Sequence, residues 1–140
     1  MVTTPLSVLR VMVVDDQRTM RAILRDLLHK VGIREVLDAT DGENALAQLN
    51  ALADKDKTPD LILCDLHMEK MDGLAFVTHV RRGKEEKIER HIPILLLTGE
   101  NDTMMLEVVQ QVGAIDILKK PISADNLGLA IAKAVGVVTN

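Results

Sequence analysis

The sequence predicts a doubly wound α/β fold, a five-stranded parallel sheet flanked by five helices, on three observations. Short aliphatic runs alternate with amphipathic helical patterns along the whole chain. Most of these runs lack polar alternation, as expected of strands covered on both faces. The length of 140 residues suits one domain, residues 1–140 with a core at about 9–136. Strands alternating with helices require crossover connections and therefore parallel pairing, and the common strand order at this size is 2-1-3-4-5.

The first strand is residues 9–14 (LRVMVV), β-branched and ended by two aspartates. Met20, Ile23, Leu24, Leu27, Leu28 and Val31 then recur at spacings of three and four, an amphipathic helix stopped by Gly32. Residues 35–39 form a more polar strand, nearer an edge. Asp41-Gly42 reads as a turn, and Ala45, Leu46, Leu49 and Leu52 mark the second helix. A charged loop at 55–59 precedes the third strand at 60–64 (DLILC), a loop at 65–73 and a helix at 74–82. The polar stretch 83–91 leads to a fourth strand at 93–97 and a helix at 101–112 closed by Gly113. Residues 115–118 are the fifth strand, Lys120-Pro121 breaks it, and Ser123 is the N-cap of the last helix.

Composition excludes several functions. Hydrophobic residues make up 47% of the chain but aromatic residues only 1%, a single Phe76, so the core is aliphatic and no base-stacking platform exists. A net charge of −4 lacks the basic footprint of a nucleic-acid binder. The lone Cys64 rules out an intrachain disulfide or a Cys-rich zinc site, and His29, His79 and His91 have no ligand spacing. No apolar run approaches the ~20 residues of a membrane span. Residues 6–14 are interrupted by Arg10 and run into Asp15-Asp16, unlike a signal peptide. The expectation is a soluble, cytoplasmic domain with no nucleic-acid or membrane partner and no output module before its end.

In a doubly wound sheet the ligand site lies beyond the carboxyl ends of the strands, where the winding direction switches. The residues just past strands 1, 3, 4 and 5 are Asp15-Asp16, Asp65, Thr98 and Lys119-Lys120. Three carboxylates crowded together call for a cation. Oxygen-only ligands select a hard ion such as Mg²⁺. Beside it, Asp65 could act as a nucleophile toward a phosphoryl donor, with Lys120 and the ion neutralising the phosphoryl oxygens and Thr98 donating its hydroxyl. Gly99 leaves the approach open.

These residues carry a family resemblance. The chain resembles the receiver domain of two-component response regulators, and the stretch DDQRTMRAILRDLL looks most like the single-domain CheY-type members. The resemblance covers residues 10–135, with VVDD, LCD, MDG, LLTGE and KKP in family order and at family spacing. It implies the flavodoxin-like fold and makes Asp65 the phospho-acceptor. It implies that Asp15 and Asp16 hold Mg²⁺ (Mn²⁺ as a substitute) with Asp65 and the main-chain carbonyl of His67. Thr98 matches the family's switch hydroxyl and Lys120 its lysine, leaving Lys119 as a solvated neighbour. A sensor histidine kinase or phosphotransfer protein would be the donor, small acyl phosphates would substitute for it, and a downstream protein, as in chemotaxis, would be the target.

Two positions depart from the family pattern. Ile117 stands where an aromatic ring is frequent, so ring rotation is not the readout, and Glu69 stands where proline is usual. His67 and Glu100 flank the acceptor and hydroxyl positions and are candidates for tuning hydrolysis. Cys64 reads as a small buried hydrophobe. The last helix is apolar almost all round at 127–135, and with Leu129, Ile117, Met104 and Met105 it suggests a partner face on helix 4, strand 5 and helix 5. That face would bind a target or a second copy. Three alternatives stay open: a receiver excised from a larger regulator or hybrid kinase, a metal-dependent phosphatase or phosphotransferase using Asp65, and a binding-only module. The phosphatase lacks a carboxylate two residues after Asp65, where His67 stands, and the intact set of five site residues argues against the binding-only module.

Overall fold

The structure, a computed structural model, describes residues 6–99 and 103–136, with the side chains of 103–106 outside that set. A 3-10 turn at Leu6–Val8 leads into β1 (Arg10–Val14), α1 (Arg18–Lys30), β2 (Glu35–Ala39), α2 (Gly42–Ala53) and β3 (Leu61–Asp65). Then follow α3 (Gly73–Arg81), β4 (Ile94–Thr98), α4 (Thr103–Val112), β5 (Asp116–Lys119) and α5 (Ala124–Val135). All pairings are parallel and the strand order is β2-β1-β3-β4-β5, as predicted. The polar β2 is an edge strand.

The period-2 geometry of the strands divides the core in two. Val11 and Val13, Leu61 and Leu63, and Leu95 and Leu97 point to one face, where Leu24 and Leu28 of α1 and Leu127 and Ile131 of α5 cover them. Met12 and Val14, Ile62 and Cys64, and Ile94 and Leu96 point to the other, under α2, α3 and α4. Phe76 of α3 is fully buried in this second cluster. Each fully buried Leu, Ile or Val contributes about 1.5–3 kcal/mol, so both helical layers are held by aliphatic burial. In the α1–α5 layer, a Cβ on Gly128 of α5 would lie 3.2 Å from Val31 Cγ1, so the missing side chain lets α5 approach the end of α1.

Several boundaries move. β3, β4 and β5 each begin and end one residue later than their apolar runs, because the ladder continues through polar residues: Leu66 N–H donates to Leu97 O at 2.8 Å and Lys120 N–H to Thr98 O at 2.7 Å. Asp41-Gly42 opens α2 instead of forming a separate turn. The Asp41 side chain accepts the Asn44 N–H at 2.8 Å, an N-cap, and Gly42 is the first helical residue. Ile23 leaves the predicted stripe of α1 and is 46% exposed, since it sits about 100° around the helix from Leu24. Ser123 caps α5 as predicted, accepting the Asn126 N–H at 3.1 Å.

Candidate functional site

The strand register brings the chemistry to one edge. Val14 pairs with Cys64, so Asp15 and Asp65 stand abreast beyond β1 and at the end of β3. Thr98 pairs with Lys119, which puts Lys120 next in line. The main chain of β3 ends where Gly73 packs close: a Cβ there would come within 2.6 Å of Asp65 O. Gly42 likewise admits Met71, whose Cβ would be 2.7 Å from an added methyl. Two glycines thus allow α2 and α3 to press the β3–α3 loop against the sheet edge.

Carboxylate oxygens of Asp15, Asp16 and Asp65 lie within 4.8 Å of one another. Asp15 is fully buried and Asp65 buried, while Asp16 is exposed. The Lys120 ammonium lies 3.2 Å from Asp65 Oδ1 and 3.7 Å from Asp15 Oδ2. Asp15 Oδ1 accepts the Gln17 N–H at 2.8 Å, whereas Oδ2 is buried with no hydrogen bond from the described residues. Burial pushes the Asp15 carboxyl above the ordinary aspartate range, and the charges of Asp65 and Asp16 add to the rise; the Gln17 N–H and Lys120 oppose it. An orphaned buried oxygen among three carboxylates, with only oxygen donors, fits a hard divalent cation.

Of the two lysines, Lys120 is the one directed into the cluster; Lys119 is exposed. The Lys120–Pro121 peptide is cis. Thr98 is buried at the end of β4, and His67 is exposed on the β3–α3 loop. Glu100 lies outside the described residues, as do the side chains of Met104 and Met105. Leu129 is 61% exposed on α5, and Val108 of α4 and Ile115 just before β5 are also exposed. Ile117 is half-buried against the core, so Ile115 is the more exposed isoleucine of that segment. Cys64 is fully buried, and burial pushes its thiol well above its ordinary range, with the charges of Asp65, Asp15 and Asp72 adding to the rise.

Two contacts escaped the sequence reading. The Glu69 N–H donates to Asp16 Oδ2 at 3.2 Å, tying the β3–α3 loop to the acidic pair. Arg21 Nη1 donates to the Asp15 main-chain carbonyl at 2.6 Å. The first had no signal, because a main-chain donor has no residue signature. The second had one: an arginine beside Met20 on an otherwise apolar face. A hollow of about 240 Å³ lined by Leu49, Pro59, Ile88 and Ile92 sits at the opposite, amino edge of β3 and β4 and takes no part in the acidic cluster.

Comparison with known proteins decides what this cluster belongs to. The response regulator receiver domain family matches residues 11–132. The chain belongs to that family. It is 30% identical to the probable chemotaxis protein CheY of Rhizobium etli, over 91% of this chain and 93% of that protein. It is 34% identical to the DNA-binding transcriptional regulator NtrC of Escherichia coli, over 89% of this chain but only 24% of NtrC. Among solved structures, the chemotaxis protein CheY4 of Vibrio cholerae aligns with a TM-score of 0.73 and 32% identity, covering 90% of this chain and 98% of its own. This receiver domain therefore spans nearly all of its chemotaxis relatives and about a quarter of NtrC. Among the described residues, no helix is long and apolar enough to cross a membrane.

Proposed function

We propose that this receiver domain is a phospho-accepting switch of a two-component pathway, with Asp65 as the acceptor. The observation that carries the reading is Lys120 Nζ at 3.2 Å from Asp65 Oδ1, beside the orphaned Oδ2 of Asp15. Asp15, Asp16, Asp65 and the main-chain carbonyl of His67 would hold Mg²⁺, or Mn²⁺ in its place. When bound, the ion supplies positive charge that offsets the three carboxylates and the incoming phosphoryl oxygens.

The Asp65 carboxylate attacks phosphorus, forming a P–O bond as the P–N bond to the donor histidine breaks, and the leaving imidazole takes up a proton. Lys120 holds Asp65 in position and pairs with a phosphoryl oxygen, and Thr98 donates its hydroxyl to another. His67 and Glu100 tune how water reaches the acyl phosphate. The donor is a sensor histidine kinase or phosphotransfer protein, and the face formed by α4, β5 and α5, with Leu129 exposed, binds a downstream protein or a second copy. Catalysis is confined to the domain's own phosphorylation and dephosphorylation. The chemotaxis relatives make control of motility in the cytoplasm the favoured output.

The partial coverage of NtrC favours a second reading, in which residues 1–140 act as the receiver of a larger regulator. The size of the native protein in its own cells, read by immunoblot, separates the two. For the main reading, incubation with Mg²⁺ and acetyl phosphate should add one phosphoryl mass that Asp65→Asn abolishes. Absence of that gain in the wild type would leave a binding module, and rapid multiple turnover of organic phosphates would make the chain a phosphatase.

A further inference from the structure

Asp15 is held on three sides by its own chain. Its N–H donates to Ala39 O at 3.1 Å, its Oδ1 accepts the Gln17 N–H at 2.8 Å, and its main-chain carbonyl accepts Arg21 Nη1 at 2.6 Å. Arg21 reaches this carbonyl from α1 with a side chain that is only 14% exposed. It is oriented in turn by Asp38 of β2, whose Oδ2 lies 3.9 Å from Arg21 Nε. Asp38 is itself fixed by Arg25 Nη2 at 2.6 Å and, through its main-chain oxygen, by Gln48 Nε2 of α2 at 2.7 Å.

We propose that Arg21 is a positioning residue for the cation site, acting on both aspartates without touching the ion. A peptide unit is planar, so fixing the carbonyl of Asp15 also fixes the N–Cα direction of Asp16. The planar guanidinium presents its donors in a fixed fork, so the 2.6 Å bond sets the direction of the Asp15 carbonyl as well as its position. A role confined to fastening α1 on β2 does not account for the geometry. Arg25 already meets Asp38 at 2.6 Å, whereas the short bond of Arg21 goes to Asp15.

The inference rests on reading Asp15, Asp16 and Asp65 as a cation site, and the experiment separates the two claims. Mg²⁺ affinity is measured by isothermal calorimetry on the phosphate-free protein, with thermal midpoints in EDTA, for wild type, Arg21→Met, Arg21→Lys and Asp16→Asn. Arg21→Met should bind Mg²⁺ about tenfold more weakly, the usual cost of removing a group that orients a metal ligand, although loss of its charge alone would favour the ion. Arg21→Lys keeps the charge and one donor and should recover affinity to within about threefold of wild type. Should Arg21→Met fail to fold, Arg21→Gln takes its place and has to bind at least about threefold more weakly. A lowered midpoint with wild-type Mg²⁺ affinity means a purely structural arginine and overturns the proposal. Asp16→Asn tests the reading beneath it: wild-type affinity there removes the cation site itself, whereas lost binding in Asp16→Asn beside intact binding in Arg21→Met removes only the role of Arg21.

Discussion

Lys120 and Asp65 are 55 residues apart in sequence, yet the ammonium of one lies 3.2 Å from the carboxylate of the other, across the end of β4. The lysine sits just past an edge strand and reaches over Thr98 to the end of β3. Lys120→Met should therefore slow phosphorylation by acetyl phosphate about a hundredfold, the scale for losing one donor to a developing anion. It should bind Mg²⁺ no more weakly than wild type, because removing a cation from three carboxylates leaves more negative charge for the ion to meet. Phosphoryl incorporation by mass and calorimetric Mg²⁺ titration read the two effects separately.

Asp15 gives a pH signature. Its carboxyl titrates above the ordinary range in the folded, metal-free chain, chiefly through burial, so the folded state holds this proton more tightly than the unfolded state does. The stability it contributes is complete below the unfolded value of about 4 and is lost as pH rises through the raised folded value. Asp15→Asn removes the titration and the orphaned anionic oxygen together. In EDTA at neutral pH the variant should be more stable than wild type by about 1 kcal/mol, a few degrees in Tm, with the difference vanishing toward pH 4. Urea or thermal melts across that range test this, and a variant less stable than wild type at pH 7 would contradict it.

Gly73→Ala puts a methyl 2.6 Å from Asp65 O and 2.9 Å from Leu66 Cα, both main-chain atoms that cannot step aside. A loss of about 1–3 kcal/mol is expected, together with slower phosphorylation as the end of β3 shifts. Gly99→Ala is the control, since no described residue lies within 4 Å of its added Cβ. Equal denaturation midpoints for Gly73→Ala and Gly99→Ala would refute the packing argument.

Leu129 is 61% exposed in the middle of α5, with Asp125 one turn before it and Lys133 one turn after. Leu129→Arg should leave the melting midpoint within about 0.5 kcal/mol of wild type, as for other surface changes. It should weaken capture of the downstream partner, or self-association in sedimentation, by tenfold or more, about 1.4 kcal/mol. Unchanged association in both assays would clear this face of the role.

The architecture was readable because each buried strand is an unbroken aliphatic run and each crossover helix carries its own period. The acidic site was readable because parallel strands deliver their last residues to a common edge, so Asp15, Asp65, Thr98 and Lys120 could be assembled without coordinates. The strand ends were one residue short for the same reason the site exists: the final ladder residues Asp65 and Thr98 are polar, and hydropathy stops before the hydrogen bonds do. Arg21 and Ile23 depart from hydropathy for separate reasons: the arginine is largely buried because it bonds the Asp15 carbonyl, and the isoleucine is exposed because it lies about 100° around α1 from Leu24. The Glu69 contact was invisible in principle, being made by an atom every non-proline residue possesses.

Phe76 of α3 is the chain's sole aromatic residue and is fully buried. The protein is therefore nearly dark in the near ultraviolet, and its concentration has to be measured through the peptide bond. That darkness is an opportunity, because a single tryptophan introduced at half-buried Ile117, one strand over from Thr98, would emit against no intrinsic background. The whole fluorescence signal would then report one position beside the acidic edge as Mg²⁺ or a phosphodonor is added.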